Sequence, residues 1–461
     1  MKSVTSALLL VGTAIATRTG PLQPRQSGSG STPEVTVRGN AFWTGDERFY
    51  IRGVAYQPGG AADAKDPLID IPSLKRDIEN FKDLGINTIR VYTVDNSENH
   101  DEGMGLLADA GIYLALDVNT PKFSLNRADP FLSYNEKYLQ SVFATIDAFA
   151  SYPNTLLFFS GNEVINDKKT TGTAPYIRAV TRDIKNYINA RGYRTIPTGY
   201  SSADVSENIV EQLEYFDCGD NSSRTDFFAF NDYSWCDPSD FVKSGWKAKV
   251  EKYTGYGIPL FLSEYGCIED ERAWGEVAAL YSTNMTTVFS GGIAYEYSVE
   301  PNGYGIVEIQ DGQITPNQDF EELATAFKNT PNPSGGGEFD PDATAAECPA
   351  ASENWEVADE LIPAPPSAIE DFMTNGAGPG PGLSEDVVTS HYGGDSYSES
   401  NITMGGVVVA STNNGSSSGG SSGSGSGGGG GSSENAAIGS AAPGLVLSMA
   451  SAVCMGLIVL L

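Results

Sequence analysis

From about residue 49 to residue 297 the chain alternates short apolar runs with longer amphipathic stretches. Leu156-Leu157-Phe158-Phe159-Ser160-Gly161-Asn162 and Pro259-Leu260-Phe261-Leu262-Ser263-Glu264 are apolar on both faces, rich in aromatics and bounded by turn residues. That pattern predicts short strands buried on both sides. Runs at 49–56, 86–94, 112–118, 195–200, 227–233 and 291–297 complete a set of eight. Between them lie helical patterns such as Ser73-Leu74-Lys75-Arg76-Asp77-Ile78-Glu79-Asn80-Phe81, with a serine placed to cap and apolar residues three and four apart. Eight β-α alternations in about 300 residues match a (β/α)₈ TIM barrel, roughly 250 residues plus loop insertions. A doubly wound sheet lacks support, because no G-x-G-x-x-G or P-loop follows an early strand.

The barrel is expected over 34–330, ending at the break Asn329-Thr330-Pro331-Asn332-Pro333. Beyond it, 331–385 keeps Cys348, Trp355 and scattered apolar residues, too few for a core of its own, and is expected to pack on the barrel. Residues 386–435 are a low-complexity stalk, whose Ser411 to Ser433 stretch holds only Ser, Thr, Asn and Gly. At the start, Lys2, an apolar stretch and Ala14-Ile15-Ala16 read as a signal peptide over 1–16, followed by a linker at 17–33. At the end, no charge follows Glu434 and the last residues are apolar, the pattern of a glycosylphosphatidylinositol (GPI) signal over 436–461 with Asn435 the preferred attachment site and Ser433 and Ser432 near rivals. A tail-anchored helix fits less well, given the export signal and the missing basic flank. The expected location is the extracellular face of the plasma membrane, held through a GPI anchor in its outer leaflet.

Composition narrows the chemistry. With 28 Lys+Arg against 59 Asp+Glu, the formal charge of -31 excludes nucleic acid as a partner. Of five cysteines Cys454 lies in the tail, leaving Cys218, Cys236, Cys267 and Cys348 for two disulfides with three possible pairings. No C-x-x-C or His/Cys cluster suggests a metal. Asn221, Asn284, Asn401 and Asn414 are N-glycosylation acceptors.

Candidate chemistry sits where two apolar runs stop, at Glu163 and Glu264. In a parallel barrel the C-terminal strand ends carry the active site. Two carboxyls there, on the fourth and seventh strands, suit glycosidic cleavage, which needs a proton for the leaving oxygen and stabilisation of an oxocarbenium-like centre. Arg90 is expected to keep Glu264 ionised by charge-assisted hydrogen bonds that lower its pKa. Flat aromatic faces suit pyranose rings, which makes Tyr295, Tyr297 and Tyr304 candidates for stacking acceptor sugars. Glu296 and Glu300 are expected to face solvent or to be structural.

The motifs Gly161-Asn162-Glu163 and Ser263-Glu264-Tyr265-Gly266 resemble the acid/base and nucleophile motifs of retaining barrel glycosidases. More narrowly, the chain from about 35 to 383 resembles glycoside hydrolase family 72, the fungal cell-wall β-1,3-glucanosyltransferases. Gly53-Val54-Ala55-Tyr56-Gln57-Pro58-Gly59-Gly60, Asn87-Thr88-Ile89-Arg90-Val91-Tyr92-Thr93-Val94-Asp95-Asn96-Ser97 with His100-Asp101 just beyond, Gly291-Gly292-Ile293-Ala294-Tyr295-Glu296-Tyr297-Ser298 and Asn375-Gly376-Ala377-Gly378 carry it. The resemblance implies Glu163 as acid/base, Glu264 as nucleophile and Asn162 on the sugar 2-hydroxyl, with Gln57, Tyr92, Asp117, Asn231 and Tyr233 lining donor and catalytic subsites. It implies Cys236–Cys267 across neighbouring mouth loops and Cys218–Cys348 tying the extension to the barrel. Relatives usually carry a third barrel disulfide where this chain has Leu74 and Gly103, and some add a C-terminal Cys-rich carbohydrate-binding module that is absent here. Asp232 and Ser234 replace the apolar residue and glutamate common around Tyr233.

The implied activity is retaining transfer of β-1,3-glucan from donor to acceptor chain, by a monomer, without metal or organic cofactor, with the cell wall as a further location. A hydrolase in the same fold and an inactive wall-anchored glucan-binding protein are the alternatives. Retention of both glutamates and Asn162 disfavours the second.

Overall fold

Each of the eight apolar runs contributes one strand to a closed parallel barrel: β1 Ile51–Ala55, β2 Thr88–Val91, β3 Tyr113–Asp117, β4 Thr155–Asn162, β5 Thr198–Ala203, β6 Phe228–Asn231, β7 Leu260–Tyr265 and β8 Phe289–Ala294. Every strand pairs with its neighbours in sequence, and β8 returns to β1 through Gly291–Ile51 and Ala294–Val54. This computed structural model describes residues 32–60, 64–335, 337, 339–358 and 362–383. The signal peptide, the stalk, the GPI signal with Asn435, and Cys454, Asn401 and Asn414 lie outside them. Strand limits depart from the sequence expectation where local chemistry intervenes. Pro197 has no N–H for the ladder and only accepts, from the Phe158 N–H at 2.9 Å, so β5 starts at Thr198 and runs on to Ala203. The first helix, α1 Ile71–Leu84, is capped by Asp70, whose side chain accepts from the Ser73 N–H, and not by Ser73 itself.

The barrel floor was not foreseen. Val35–Arg38, Ala41–Thr44 and Glu47–Phe49 form an antiparallel meander at the N-terminal ends of the strands. Its Phe42 is fully buried, with ring centroids 6.3 Å from Phe227 and 5.9 Å from Phe261, and Phe49 lies 5.0 Å from Tyr113. Above them Phe159, Leu157, Ala115 and Ile293 fill the interior. Burying each such phenylalanine contributes roughly 2–3 kcal/mol, which draws these short segments under the barrel.

The segment after the barrel's last helix, α5 in chain order after α2 Asp101–Asp109, α3 Glu136–Phe149 and α4 Ala174–Ala190, is a belt; α5 itself is Gln318–Asn329. Arg52 fastens its start, donating to Phe327 O, Thr330 O and Asn332 Oδ1. Phe339 packs on Trp43 of the floor at 4.5 Å, and the Asp340 N–H donates to Asn40 Oδ1. Cys348 is bonded to Cys218, and Trp355 is buried against Tyr215 at 5.4 Å. Helix α6, Ile369–Asn375, then lies on α3 and α4 through Phe372 against Phe143. The belt ends at the loop after β2, where the Gly382 N–H donates to Asn96 Oδ1 at 2.9 Å. Gly380 is needed there, since a Cβ would sit 2.4 Å from Asn96 O. Leu74 and Gly103 face each other, with Leu74 Cδ2 3.4 Å from where a Gly103 Cβ would stand, so leucine occupies the space of the absent bridge. Asn221 and Asn284 are exposed. Among the described residues no helix is long and apolar enough to cross a membrane.

Candidate active site

β7 is buried along its whole length and delivers Glu264 to the C-terminal end of the barrel with only 8% of its surface exposed. Its Oε1 accepts from Tyr92 Oη at 2.9 Å and Arg90 Nη1 at 3.3 Å, and its Oε2 accepts from Tyr233 Oη at 2.8 Å. Burial pushes the carboxyl up to about 7, Arg90 opposes that, the nearby Glu163 adds to it, and the two phenol hydroxyls oppose it. Arg90 does pull the pKa of Glu264 down as expected, but burial outweighs it, so the expectation that Arg90 keeps the carboxyl ionised is corrected. Arg90 is already shared. Its Nε and Nη2 donate to Asp117 Oδ2 and Oδ1 at 2.9 and 3.2 Å, and it is sandwiched by Tyr92 and Phe159 at 4.4 and 4.2 Å. Asp117, expected to line a subsite, has both oxygens engaged by this guanidinium.

Glu163 follows β4 directly, with φ of 49°, a left-handed conformation that costs a non-glycine residue of order 1 kcal/mol. The turn is held by the Glu163 N–H donating to Ser201 O at 2.9 Å and Arg127 Nη2 donating to Glu163 O at 2.6 Å. The Glu163 Oε1 accepts from Asn231 Nδ2 at 2.8 Å. Asn231 Nδ2 also reaches Asn162 Oδ1 at 3.2 Å, which further accepts from Ser201 Oγ at 2.7 Å and Arg90 Nη2 at 3.1 Å. Asn231 Oδ1 accepts from Ser263 Oγ at 2.8 Å, and Ser201 Oγ lies 3.1 Å from it. One polar web thus runs from Glu163 through Asn231, Asn162 and Arg90 to Glu264. Sequence reading missed Ser201 and Ser263, although small hydroxyls in doubly buried strands need partners and so point toward a polar centre.

Tyr233, Tyr295 and Tyr304 form a half-buried wall beside Glu264, with Tyr304 centred 5.4 Å from each of the other two rings and Tyr92 6.5 Å from Tyr295. Tyr297 does not join it. It is fully buried against Tyr56 and Phe81, donates to Asp77 Oδ1 at 2.9 Å and accepts from Asn80 at 3.0 Å. The expected stacking role for Tyr297 is corrected on that ground: a carboxylate on α1 holds its phenol behind the barrel wall. Gln57 is 1% exposed, its Oε1 accepts from the N–H groups of Tyr92 and Thr93, and its Nε2 donates to Lys65 O, so it orients the strand end that bears Tyr92. Glu296 is buried and accepts from Asn302, while Glu300 accepts from the Gly59 N–H across the β1 loop. At the departures flanking Tyr233, Asp232 Oδ1 accepts from the Ser234 N–H and hydroxyl, and Asp232 Oδ2 meets Lys249, which also reaches Asp204. Cys236 and Cys267 are bonded across the β6 and β7 loops.

A parallel eight-stranded barrel bearing carboxyls at the C-terminal ends of β4 and β7 is the layout of barrel enzymes that cleave glycosidic bonds. The chain belongs to the glucanosyltransferase family, glycoside hydrolase family 72, which it matches over residues 25–331. It is 56% identical over 382 residues to the 1,3-beta-glucanosyltransferase gel1 of Aspergillus fumigatus, covering 83% of this chain and 84% of that one. It is 50% identical to the 1,3-beta-glucanosyltransferase GAS5 of Saccharomyces cerevisiae, covering 82% of this chain and 78% of that one. Among solved structures, a mutant of Saccharomyces cerevisiae Gas2p in complex with laminaritetraose and laminaripentaose is 37% identical, with a TM-score of 0.67 over 72% of this chain and 74% of that chain.

Proposed function

We infer that this protein is a 1,3-β-glucanosyltransferase that cuts a β-1,3-glucan chain internally and transfers the new reducing end to the non-reducing end of another glucan, elongating and remodelling cell-wall glucan. The observation that carries the residue assignment is the web joining a buried, three-fold held Glu264 to Glu163 across Asn231 and Asn162. Glu264 attacks the anomeric carbon as its bond to the glycosidic oxygen breaks, and Glu163 gives its proton to that leaving oxygen. An acceptor hydroxyl then loses its proton to Glu163 and attacks the same carbon, and the Glu264 carboxylate departs. Because Asn162 Oδ1 already accepts three hydrogen bonds, its amide N–H groups are what it offers a sugar 2-hydroxyl. Tyr233, Tyr295 and Tyr304 supply the faces on which sugars stack.

The similarity to cell-wall enzymes supports an extracellular or cell-wall location. We further assign a signal peptide at 1–16, a GPI anchor at Asn435 at the end of the stalk, glycans at exposed Asn221 and Asn284, and action as a monomer. Incubating the protein with a reduced laminari-oligosaccharide and sizing the products by mass spectrometry tests the reaction. Products longer than the substrate are expected; only shorter ones would make the enzyme a hydrolase.

A further inference from the structure

The tyrosine wall is not self-supporting. Tyr295 and Tyr304 belong to the loop after β8, and neither ring rests in regular structure. Their backbone carbonyls converge on one side chain from the preceding loop. Arg272 Nη1 donates to Tyr295 O at 3.1 Å and Nη2 to Tyr304 O at 2.7 Å. The same guanidinium is locked from behind. Its Nε and Nη2 donate to Asp319 Oδ2 at 3.0 and 2.6 Å, and its plane lies 4.4 Å from the Trp274 ring. Trp274 is itself fixed, donating through Nε1 to Asp319 O at 2.8 Å and packing on Tyr265, the residue after Glu264. Arg272 is 5% exposed, so the four hydrogen bonds form out of competition with water. A planar fork can bridge two carbonyls and a carboxylate at once, which a lysine ammonium on a flexible stem cannot do with fixed angles.

We propose that Arg272, with Asp319 as its counter-ion, is a positioning residue for the acceptor side of the reaction: it sets the Tyr295–Tyr304 wall and thereby how the glucosyl-enzyme divides between sugar and water. The proposal rests on the reading above, in which that wall receives acceptor glucose units. Water is present at far higher concentration than any acceptor, so transfer prevails only where stacking surfaces are held in register and exclude solvent. Arg272 bonds to no member of the polar web around Glu163 and Glu264; the wall bonds to that web through Tyr233, whose carbonyl Arg272 does not hold.

The test uses the full protein with reduced laminari-oligosaccharide, scoring total donor consumed and the ratio of lengthened to shortened products as acceptor concentration is varied. Arg272→Lys is expected to lower the transfer ratio about five-fold and raise the half-saturating acceptor concentration by a similar factor, with donor consumption within about two-fold of wild type. Asp319→Asn, which keeps an acceptor oxygen, is expected to move both in the same direction by about two-fold, and carries the test should the arginine variant not fold. Tyr304→Ala separates the two readings. If it loses transfer while Arg272→Lys and Asp319→Asn leave the ratio unchanged, the positioning role is overturned and the wall stands. If Tyr304→Ala transfers normally, the wall reading falls and the positioning role with it. Equal loss of cleavage and transfer in Arg272→Lys and Asp319→Asn would also overturn the proposal, because that is the signature of a merely structural ion pair.

Discussion

At the scale of single residues, the burial of Glu264, the proposed nucleophile, works against the fold. Its folded-state pKa near 7 lies above the ordinary glutamate value of 4.5, so the folded protein holds the proton more tightly than the unfolded chain. Stability linked to this group is full below the ordinary value and is lost as pH rises through 7, where a charge must form in a buried site. Glu264→Gln is therefore expected to abolish cleavage, by about four orders of magnitude or more, while raising stability at pH 8 by about 1–3 kcal/mol. Urea unfolding should show the gain vanish near pH 4.5. Tyr233→Phe removes one of three donors to Glu264 and leaves the ring, so kcat is expected to fall about 10- to 100-fold with stacking retained. Steady-state rates on laminari-oligosaccharide check it. The placement of the two glutamates was legible because each closes a doubly apolar run, which puts it at the C-terminal end of a barrel strand. Ser201 and Ser263 were not, since small hydroxyls in such strands pass for filler until their partners are known. Tyr297 misled for a related reason. Beyond Ala294 the strand ends, and with it the alternation that tells which face a side chain takes.

At the scale of elements, all eight strands were readable, because burial on both faces imposes long apolar runs that loops do not have. The floor meander was not, since its strands are three or four residues long and their meaning lies in Phe42 and Phe49 meeting strands far away in sequence. Arg272 escaped notice likewise: it sits in the polar run Glu269-Asp270-Glu271 and finds its counter-ion 47 residues on. Helix α2 illustrates how tightly neighbouring elements fit. A Cβ on Gly103 would stand 2.1 Å from Leu68 O, so Gly103→Ala is expected to cost about 1–3 kcal/mol, read as a lower urea midpoint. Simple restoration of a bridge by Leu74→Cys with Gly103→Cys meets the same collision.

At the scale of the whole molecule, the belt from Pro331 to Leu383 touches the floor, two flanking helices and the loop after β2, and a single disulfide, between residues 130 apart in sequence, ties it to the barrel. Replacing Cys218 and Cys348 together by serine is expected to lower stability by about 2–4 kcal/mol and to open 331–383 to protease, with the polar web at the barrel mouth intact. Urea unfolding and limited proteolysis read the two effects. The sealed floor has a different consequence. Above that floor the barrel interior is filled by side chains, so a glucan cannot be threaded through it and must lie across the rim. The departing half of the first polymer and the incoming tip of the second must also occupy the same side of that rim, beside the same Glu163. They use it in turn, so each transfer waits on an exit, and the kinetics should be those of a single seat with two successive occupants.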